Sequence, residues 1–237
     1  MHQAFIILLS SALSIGFIHT LLGPDHYLPF IVMAKSRHWS LMRTTVITLL
    51  CGIGHVLSAV VLGLIAVSIG ITITKLQFIE SFRGDIAAWL LIIFGFVYCV
   101  WGIHSAIKNK AHTHLHLHAD GSKHLHIHSH HEEHSHVHPK KSLRELTPWV
   151  LFIIFILGPC EPLIPLIMYP AIHGAFLEVF LISVLFGIST LIVMLGMVLA
   201  SVFGVERLKF GFFERYGNAL AGMVICSSGL AIKFLGL

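Results

Sequence analysis

The sequence predicts an all-α polytopic membrane protein, with six transmembrane helices arranged as a 3+3 inverted repeat in which helices 1 and 4 are broken. Three observations predict this architecture: scarce charge, long apolar runs and a duplicated Gly-Pro motif. Of the 237 residues, 56% are hydrophobic and only 11% are charged, whereas a soluble domain carries about a quarter charged residues. Because the apolar runs lack the alternation typical of a transmembrane β-barrel, we expect helices.

Six apolar runs are long enough to cross a bilayer, which takes roughly 20 helical residues. They cover approximately residues 4–34, 44–70, 86–107, 147–172, 175–204 and 216–236. The first run has the hydrophobicity of a signal peptide, but Met1-His2-Gln3 lacks the usual Lys or Arg, so we expect it to be a span. The chain then divides into a first repeat (1–107), a loop (108–146) and a second repeat (147–237).

The placement of positive charge predicts the orientation of these spans. Lys and Arg cluster in alternate connections, whereas the opposite connections hold only Lys75 and Arg83. Positive charge marks the cytoplasmic side, so we expect an inner-membrane protein with both termini outside and a cytoplasmic 108–146 loop. The net charge of +4 is small and scattered, which argues against a nucleic-acid partner. The clustered charges are Lys35, Arg37, Arg43, Lys108, Lys110, Lys123, Lys140, Lys141, Arg144, Arg207, Lys209 and Arg215.

A duplication relates the two halves of the chain. Gly23-Pro24-Asp25-His26-Tyr27-Leu28 resembles Gly158-Pro159-Cys160-Glu161-Pro162-Leu163, and Gly52-Ile53 matches Gly187-Ile188 at the same separation. Each copy contains three spans, and an odd number turns the second copy upside down. Pro in mid-span breaks the helix, and the freed carbonyls are tolerated only against protein or a watery cavity. Matching breaks therefore predict a substrate site near the membrane midplane.

Side chains that can bind a metal lie at or beside these breaks. Ionisable groups at membrane depth cost several kcal/mol, so they usually mark a pathway. His55 directly follows Gly54, where two helices can approach closely. Imidazole, carboxylate and thiolate together suit Ni²⁺, Co²⁺ or Zn²⁺ better than Mg²⁺ or Ca²⁺. The predicted metal ligands are His19, Asp25, His26, His55, Cys160 and Glu161.

Structural interpretations of the same residues stay open. His55 could simply bond a backbone carbonyl, Asp25 could cap the helix after the break, and Cys160 could be part of an apolar core. Charged residues elsewhere, Glu80 among them, are expected at the solvated ends of spans.

The central loop contains twelve histidines, mostly in a His-x-His pattern with few apolar residues. Such a composition cannot build a core, so we expect no regular structure without a ligand. Clustered neutral imidazoles predict metal capture that displaces protons, in the role of a buffer, sensor or feeder. The histidines are His112, His114, His116, His118, His124, His126, His128, His130, His131, His134, His136 and His138.

These motifs resemble the nickel/cobalt transporter and efflux superfamily, in a six-span branch. The resemblance rests on His19 with Gly23-Pro24-Asp25-His26, on Gly54-His55 and on the histidine-rich loop; residues 158–162 are similar to urease-accessory and sulfite-exporter-like membrane proteins. It implies that His19, Asp25, His26 and His55 recognise the metal. Nickel permeases differ, having eight spans and four residues between the His and the Asp-His pair, where this chain has five.

The break positions also resemble thiol-reducing membrane proteins, which carry a cysteine at each break. Here Asp25 occupies the first of those positions. A two-electron relay needs two sulfurs, so we do not expect one unless Cys51 lies near Cys160.

The sequence thus predicts secondary transport of Ni²⁺, Co²⁺ or Zn²⁺, with export favoured, no enzymatic activity and no required cofactor. No Gly-Lys dipeptide is present, so no Walker A loop is expected. The alternatives are a metal-binding accessory or sensor protein that delivers metal to an enzyme, and an anion (sulfite-like) exporter. The expected partners are the metal ion and the bilayer, with a homo-oligomer or a metallochaperone left open.

Overall fold

The computed structural model describes residues 2–108, 112–117, 123–128, 143–206 and 211–235. Five helices in these ranges are long and apolar enough to cross a membrane. The chain is therefore a helical, multi-pass membrane protein. The helices are α1 (His2–Leu22), α2 (Leu28–Ser36), α3 (Leu41–Ser68), α4 (Ile73–Lys108), α5 (Leu143–Leu157), α6 (Leu163–Ile172), α7 (Phe176–Glu206) and α8 (Gly211–Leu235).

Both Gly-Pro motifs interrupt a helix, as the sequence predicted. At the first break (residues 23–27), α1 ends at Leu22 and a short 3₁₀ turn, Pro24–His26, leads into α2. At the second break (residues 158–162), α5 ends at Leu157 and α6 begins at Leu163. Pro has no N–H to donate to the carbonyl four residues earlier, so neither helix continues.

Helix α4 begins earlier than the sequence predicted, at Ile73 rather than near residue 86. The extra turns contain Glu80 and Arg83, which were expected near a solvated connection. Glu80 is instead fully buried, so the prediction of a solvated Glu80 is wrong. The two side chains form an ion pair one helical turn apart, which lets both charges leave water together.

Helices α4 and α8 pack antiparallel through small residues. A methyl group at Gly95 would collide with the backbone nitrogen of Cys226, and one at Gly222 would collide with that of Cys99. Further along the pair, Gly102 lies against Ala219 in the same way. Glycine at these positions lets the two backbones approach without side chains between them.

Helix α3 packs against both α5 and α7. Carbons of Phe152 and Ile156 on α5 lie 3.2 and 3.1 Å from the position that a Cβ at Gly54 would occupy. This is the close helix approach that Gly54 predicted. Because α5 ends at the second break, the contact brings the middle of α3 up to that break.

Two strands occur in the histidine-rich loop, which was expected to have no regular structure. Strand β1 (His112–Leu117) pairs antiparallel with β2 (Lys123–His128). The difference has a simple basis, because a His-x-His run alternates with a period of two, and that period is typical of a strand. An isolated two-stranded hairpin is marginally stable in water. The histidines at 118 and from 130 to 138 lie outside the described residues.

Candidate metal site

Three of the predicted ligands meet in the interior. One ring nitrogen from each of His19, His26 and His55 lies within 4.8 Å of the others, and we call these residues the tri-histidine cluster. The ring centroids of His19 and His26 are 4.9 Å apart, and those of His26 and His55 are 5.2 Å apart. His26 and His55 are buried, at 3% and 4% exposure. Three imidazoles at this spacing form an arrangement that a single metal ion could bridge.

The hydrogen bonds of the cluster determine which nitrogens are free. Nδ1 of His55 lies 3.1 Å from the Phe155 carbonyl oxygen, and Nδ1 of His26 lies 3.2 Å from both the Gly23 carbonyl and Asp25 Oδ1. These oxygens only accept, so each Nδ1 donates its hydrogen. The Nε2 atoms of all three histidines are buried without a hydrogen-bond partner. Metal-binding histidines commonly have this arrangement, with the second nitrogen bonded to a carbonyl or carboxylate.

Asp25 does not cap helix α2, which was the alternative interpretation of this residue. It lies inside the 3₁₀ turn rather than at the start of α2, whose N-cap is Tyr27 without a side-chain cap bond. Its carboxylate orients the His26 ring. The alternative interpretation of His55, a bond to a backbone carbonyl, is confirmed for Nδ1. The Nε2 atom of the same ring has no hydrogen-bond partner.

A cavity of about 310 Å³ adjoins the cluster. Its walls come from both breaks and from α4, and include Gly23, Gly158 and Pro159 as well as the three histidines. Glycine at position 23 is required there, because a methyl group would lie 2.6 Å from His26 Nδ1. His55 is at the middle of the 28-residue helix α3, so the cavity adjoins the middle of a helix long and apolar enough to cross a membrane.

The second break is held by two residues that the sequence did not identify. Arg83 donates to the Ile156 carbonyl at 2.8 Å and to Ser58 Oγ at 3.0 Å. Glu80 Oε2 accepts the backbone N–H of Cys160 at 3.2 Å. In an unbroken helix Ile156 and Cys160 would bond each other. The ion pair on α4 thus satisfies both backbone groups that the break separates.

The remaining predicted ligands lie elsewhere. Cys160 is fully buried within an apolar cluster that includes Leu163 and Phe186, and Glu161 lines a separate cavity together with Gln77 and Glu80. Cys51 belongs to a different apolar cluster from Cys160, and all four cysteines are free. The condition set for a thiol relay, Cys51 beside Cys160, is therefore not met.

Fold and site together define a polytopic helical membrane protein with broken helices around an internal histidine site. Comparison with protein families adds a match over residues 28–231 to the cytochrome c biogenesis protein transmembrane region. The match covers most of the chain, so the chain belongs to this family. Comparisons with curated proteins and with solved structures gave no match.

The family match corrects the resemblance drawn from the motifs, because assignment to the nickel/cobalt transporter superfamily is wrong. That assignment rested on short motifs, and His19 and the residues 23–26 lie before the matched range. Gly-Pro breaks with a few polar residues arise wherever a membrane helix must be interrupted, so their presence does not identify a family. His55 and the histidine-rich loop fall inside the matched range.

Proposed function

We propose that this protein binds a divalent transition-metal ion at the tri-histidine cluster and transports it across the membrane. The observation that carries the proposal is the set of three buried Nε2 atoms without partners. An unsatisfied polar atom in the interior is costly, and a metal ion would satisfy all three at once. Neutral imidazole ligands favour Ni²⁺, Co²⁺ or Zn²⁺ over the hard cations.

His19, His26 and His55 are the ligands in this proposal, and Asp25 orients His26. The cavity beside the cluster leaves room for a water molecule or a further ligand. Carboxylates bonded to a ligating imidazole raise its basicity and fix its orientation. Removing Asp25 should therefore weaken the site less than removing a histidine.

A six-span inverted repeat gives this site a transport mechanism. In the proposal α1 and α2 form the first span, and α5 and α6 form the fourth, each broken in the middle. The antiparallel packing of α4 on α8 supports the repeat, since an inversion relates equivalent spans in opposite directions. Movement of one repeat against the other would then open the cavity to alternate sides.

The direction and the supply of metal follow from the predicted orientation. With a cytoplasmic histidine-rich loop, the metal is captured on the inside, and we favour export. The energy would come from an ion gradient or from a partner.

Metal flux into or out of proteoliposomes tests the proposal, with Ni²⁺, Co²⁺, Zn²⁺, Mn²⁺ and Mg²⁺ compared. We expect saturable flux for the first three, and a loss of more than about tenfold in His26→Ala and His55→Ala. His173→Ala is the matched control, because exposed His173 also bonds a carbonyl through Nδ1, that of Tyr169. Equal flux in His26→Ala and wild type would refute the site.

The same variants separate transport from metal delivery. Metal binding in detergent that depends on His55, without flux in liposomes, would favour an accessory or sensor protein. Sulfite flux that ignores all three histidines would favour an anion exporter.

A further inference from the structure

The strand register of the histidine-rich hairpin pairs histidine with histidine. His112 is the partner of His128, His114 of His126, and His116 of His124. The alternate pairs are Thr113 with Ile127, Leu115 with Leu125, and Leu117 with Lys123. Six histidines therefore fall on one face of the ribbon, in three consecutive rungs, and we call them the histidine ladder.

We propose that the histidine ladder is a second metal site, in which two adjacent rungs bind one divalent transition-metal ion through four imidazoles. Directly paired positions in an antiparallel ribbon hold their Cβ atoms about 5 Å apart. Positions two residues apart along a strand are separated by roughly 6.6–6.8 Å. Histidine is a usual ligand of Zn²⁺, with Zn–N bonds of about 2.0–2.1 Å, and two adjacent rungs supply four histidine positions at these spacings.

The ladder depends on register as well as on composition. A one-residue slip would move one strand's histidines to the opposite face. Metal bound between rungs crosslinks the two strands, so it should also stabilise a hairpin that is marginal alone. A loop that binds metal only because it is rich in histidine would show neither property.

The histidine ladder rests on the proposed function in one respect, since its ligand is the same class of transition-metal ion. Its test measures metal binding and does not require transport. The test uses the full-length protein carrying His26→Ala and His55→Ala, so that binding at the tri-histidine cluster is removed. Zn²⁺ affinity and stoichiometry are measured by equilibrium dialysis, and the absorption spectrum of bound Co²⁺ reports tetrahedral nitrogen ligation.

Composition-neutral exchanges then break and restore the ladder. The β1 variant exchanges two neighbouring pairs of residues: Thr113→His with His114→Thr, and Leu115→His with His116→Leu. These exchanges remove two rungs and leave the number of histidines unchanged. In the compensated variant, matching exchanges are added in β2: His126→Ile with Ile127→His, and His124→Leu with Leu125→His. These form new pairs, 113 with 127 and 115 with 125, on the other face.

We expect the β1 variant to bind Zn²⁺ at least about tenfold more weakly and to lose the tetrahedral Co²⁺ spectrum. The compensated variant should recover both. Equal affinity and equal spectra in the parent protein, the β1 variant and the compensated variant would overturn the ladder. A compensated variant that fails to recover Zn²⁺ affinity and the Co²⁺ spectrum would overturn it too. Either result leaves the tri-histidine cluster to be judged by flux, because flux is measured with the loop unchanged.

Discussion

His55 Nδ1 lies 3.1 Å from the carbonyl oxygen of Phe155, the oxygen that Pro159 has no N–H to bond. The Gly158 N–H also reaches this carbonyl oxygen, at 3.2 Å, but the proline that ends α5 leaves it able to accept a second bond, from a histidine of α3. This bond occupies Nδ1 and leaves the buried Nε2 of His55 without a partner. The second break therefore contributes to the site even though none of its side chains belongs to the tri-histidine cluster.

Restoring the missing N–H should weaken the site. In Pro159→Ala the new N–H can compete for the Phe155 carbonyl, and His55 loses its orienting partner. We expect metal affinity to fall by about 10–100-fold, the usual cost of losing such a partner, measured by equilibrium dialysis. Pro165→Ala, at an exposed position in the first turn of α6, is the control. Unchanged affinity in Pro159→Ala would show that the bond does not orient the ring.

A methyl group at Gly23 should displace His26 without unfolding the protein. It would lie 2.6 Å from His26 Nδ1 and 3.0 Å from Asp25 Oδ1. We expect Gly23→Ala to lose metal binding by more than about tenfold. Gly196→Ala has no atom within 4 Å of its new methyl group and should bind as wild type. Detergent-solubilised protein that is monodisperse in both variants excludes misfolding as the cause.

The buried ion pair between Glu80 and Arg83 should show strong coupling. Arg83→Ala leaves the buried charge of Glu80 uncompensated and the Ile156 carbonyl without its Arg83 partner, so we expect a loss of about 3–5 kcal/mol in unfolding free energy. Glu80→Gln with Arg83→Gln should cost less than the two single substitutions added together. Reversible unfolding in mixed micelles measures this cycle. Additive effects would contradict the contacts seen at the second break.

A second ion pair provides the comparison for that cycle. Lys233 Nζ lies 2.7 Å from Asp85 Oδ1, and the Asp85 side chain is 51% exposed. Pairs of this kind contribute about 0–1 kcal/mol. Lys233→Ala should therefore change the unfolding free energy little.

The contact between α4 and α8 should be sensitive to single methyl groups. Gly222→Ala would press a methyl group against the backbone of Cys99, and the helices cannot separate without losing their neighbouring contacts. We expect a lower thermal midpoint, from a cost of about 1–3 kcal/mol typical of overpacking. Gly217→Ala, whose new methyl group has no atom within 4 Å, should leave the midpoint unchanged. A neutral Gly222→Ala would show that the helices pack less closely than described.

Cysteine 160 should be dispensable for metal binding. Its thiol is packed among apolar side chains, and its described hydrogen bonds use the backbone N–H and the backbone carbonyl. We expect Cys160→Ala to bind metal with an affinity within about threefold of wild type, since substitutions outside the ligand shells have small effects. A tenfold loss would return the thiol to the ligand set.

The sequence predicted the membrane class and both breaks because each depends on local chemistry. Run length and apolar content determine whether a helix can span a bilayer, and Gly23-Pro24 and Gly158-Pro159 interrupt a helix wherever they occur. The pairing of His19 with His26 was equally local, since they are only seven positions apart. The family was not predictable from these motifs, because short breaks and single histidines are shared by unrelated membrane proteins.

Tertiary structure decided which polar groups form the site. His55 is distant in sequence from His26 and meets it only in the folded chain, where Gly54 also lets α3 approach α5 closely. Glu80 was expected to be solvated, yet it is buried beside Arg83 and accepts the backbone N–H of Cys160 at the second break. Hydropathy fixes where a helix lies in the membrane, but it contains no information on which faces meet. Here the contacts between helices depend on glycine spacing and on backbone groups that need partners. They bring the three histidines together and leave Cys160 and Glu161 apart from them.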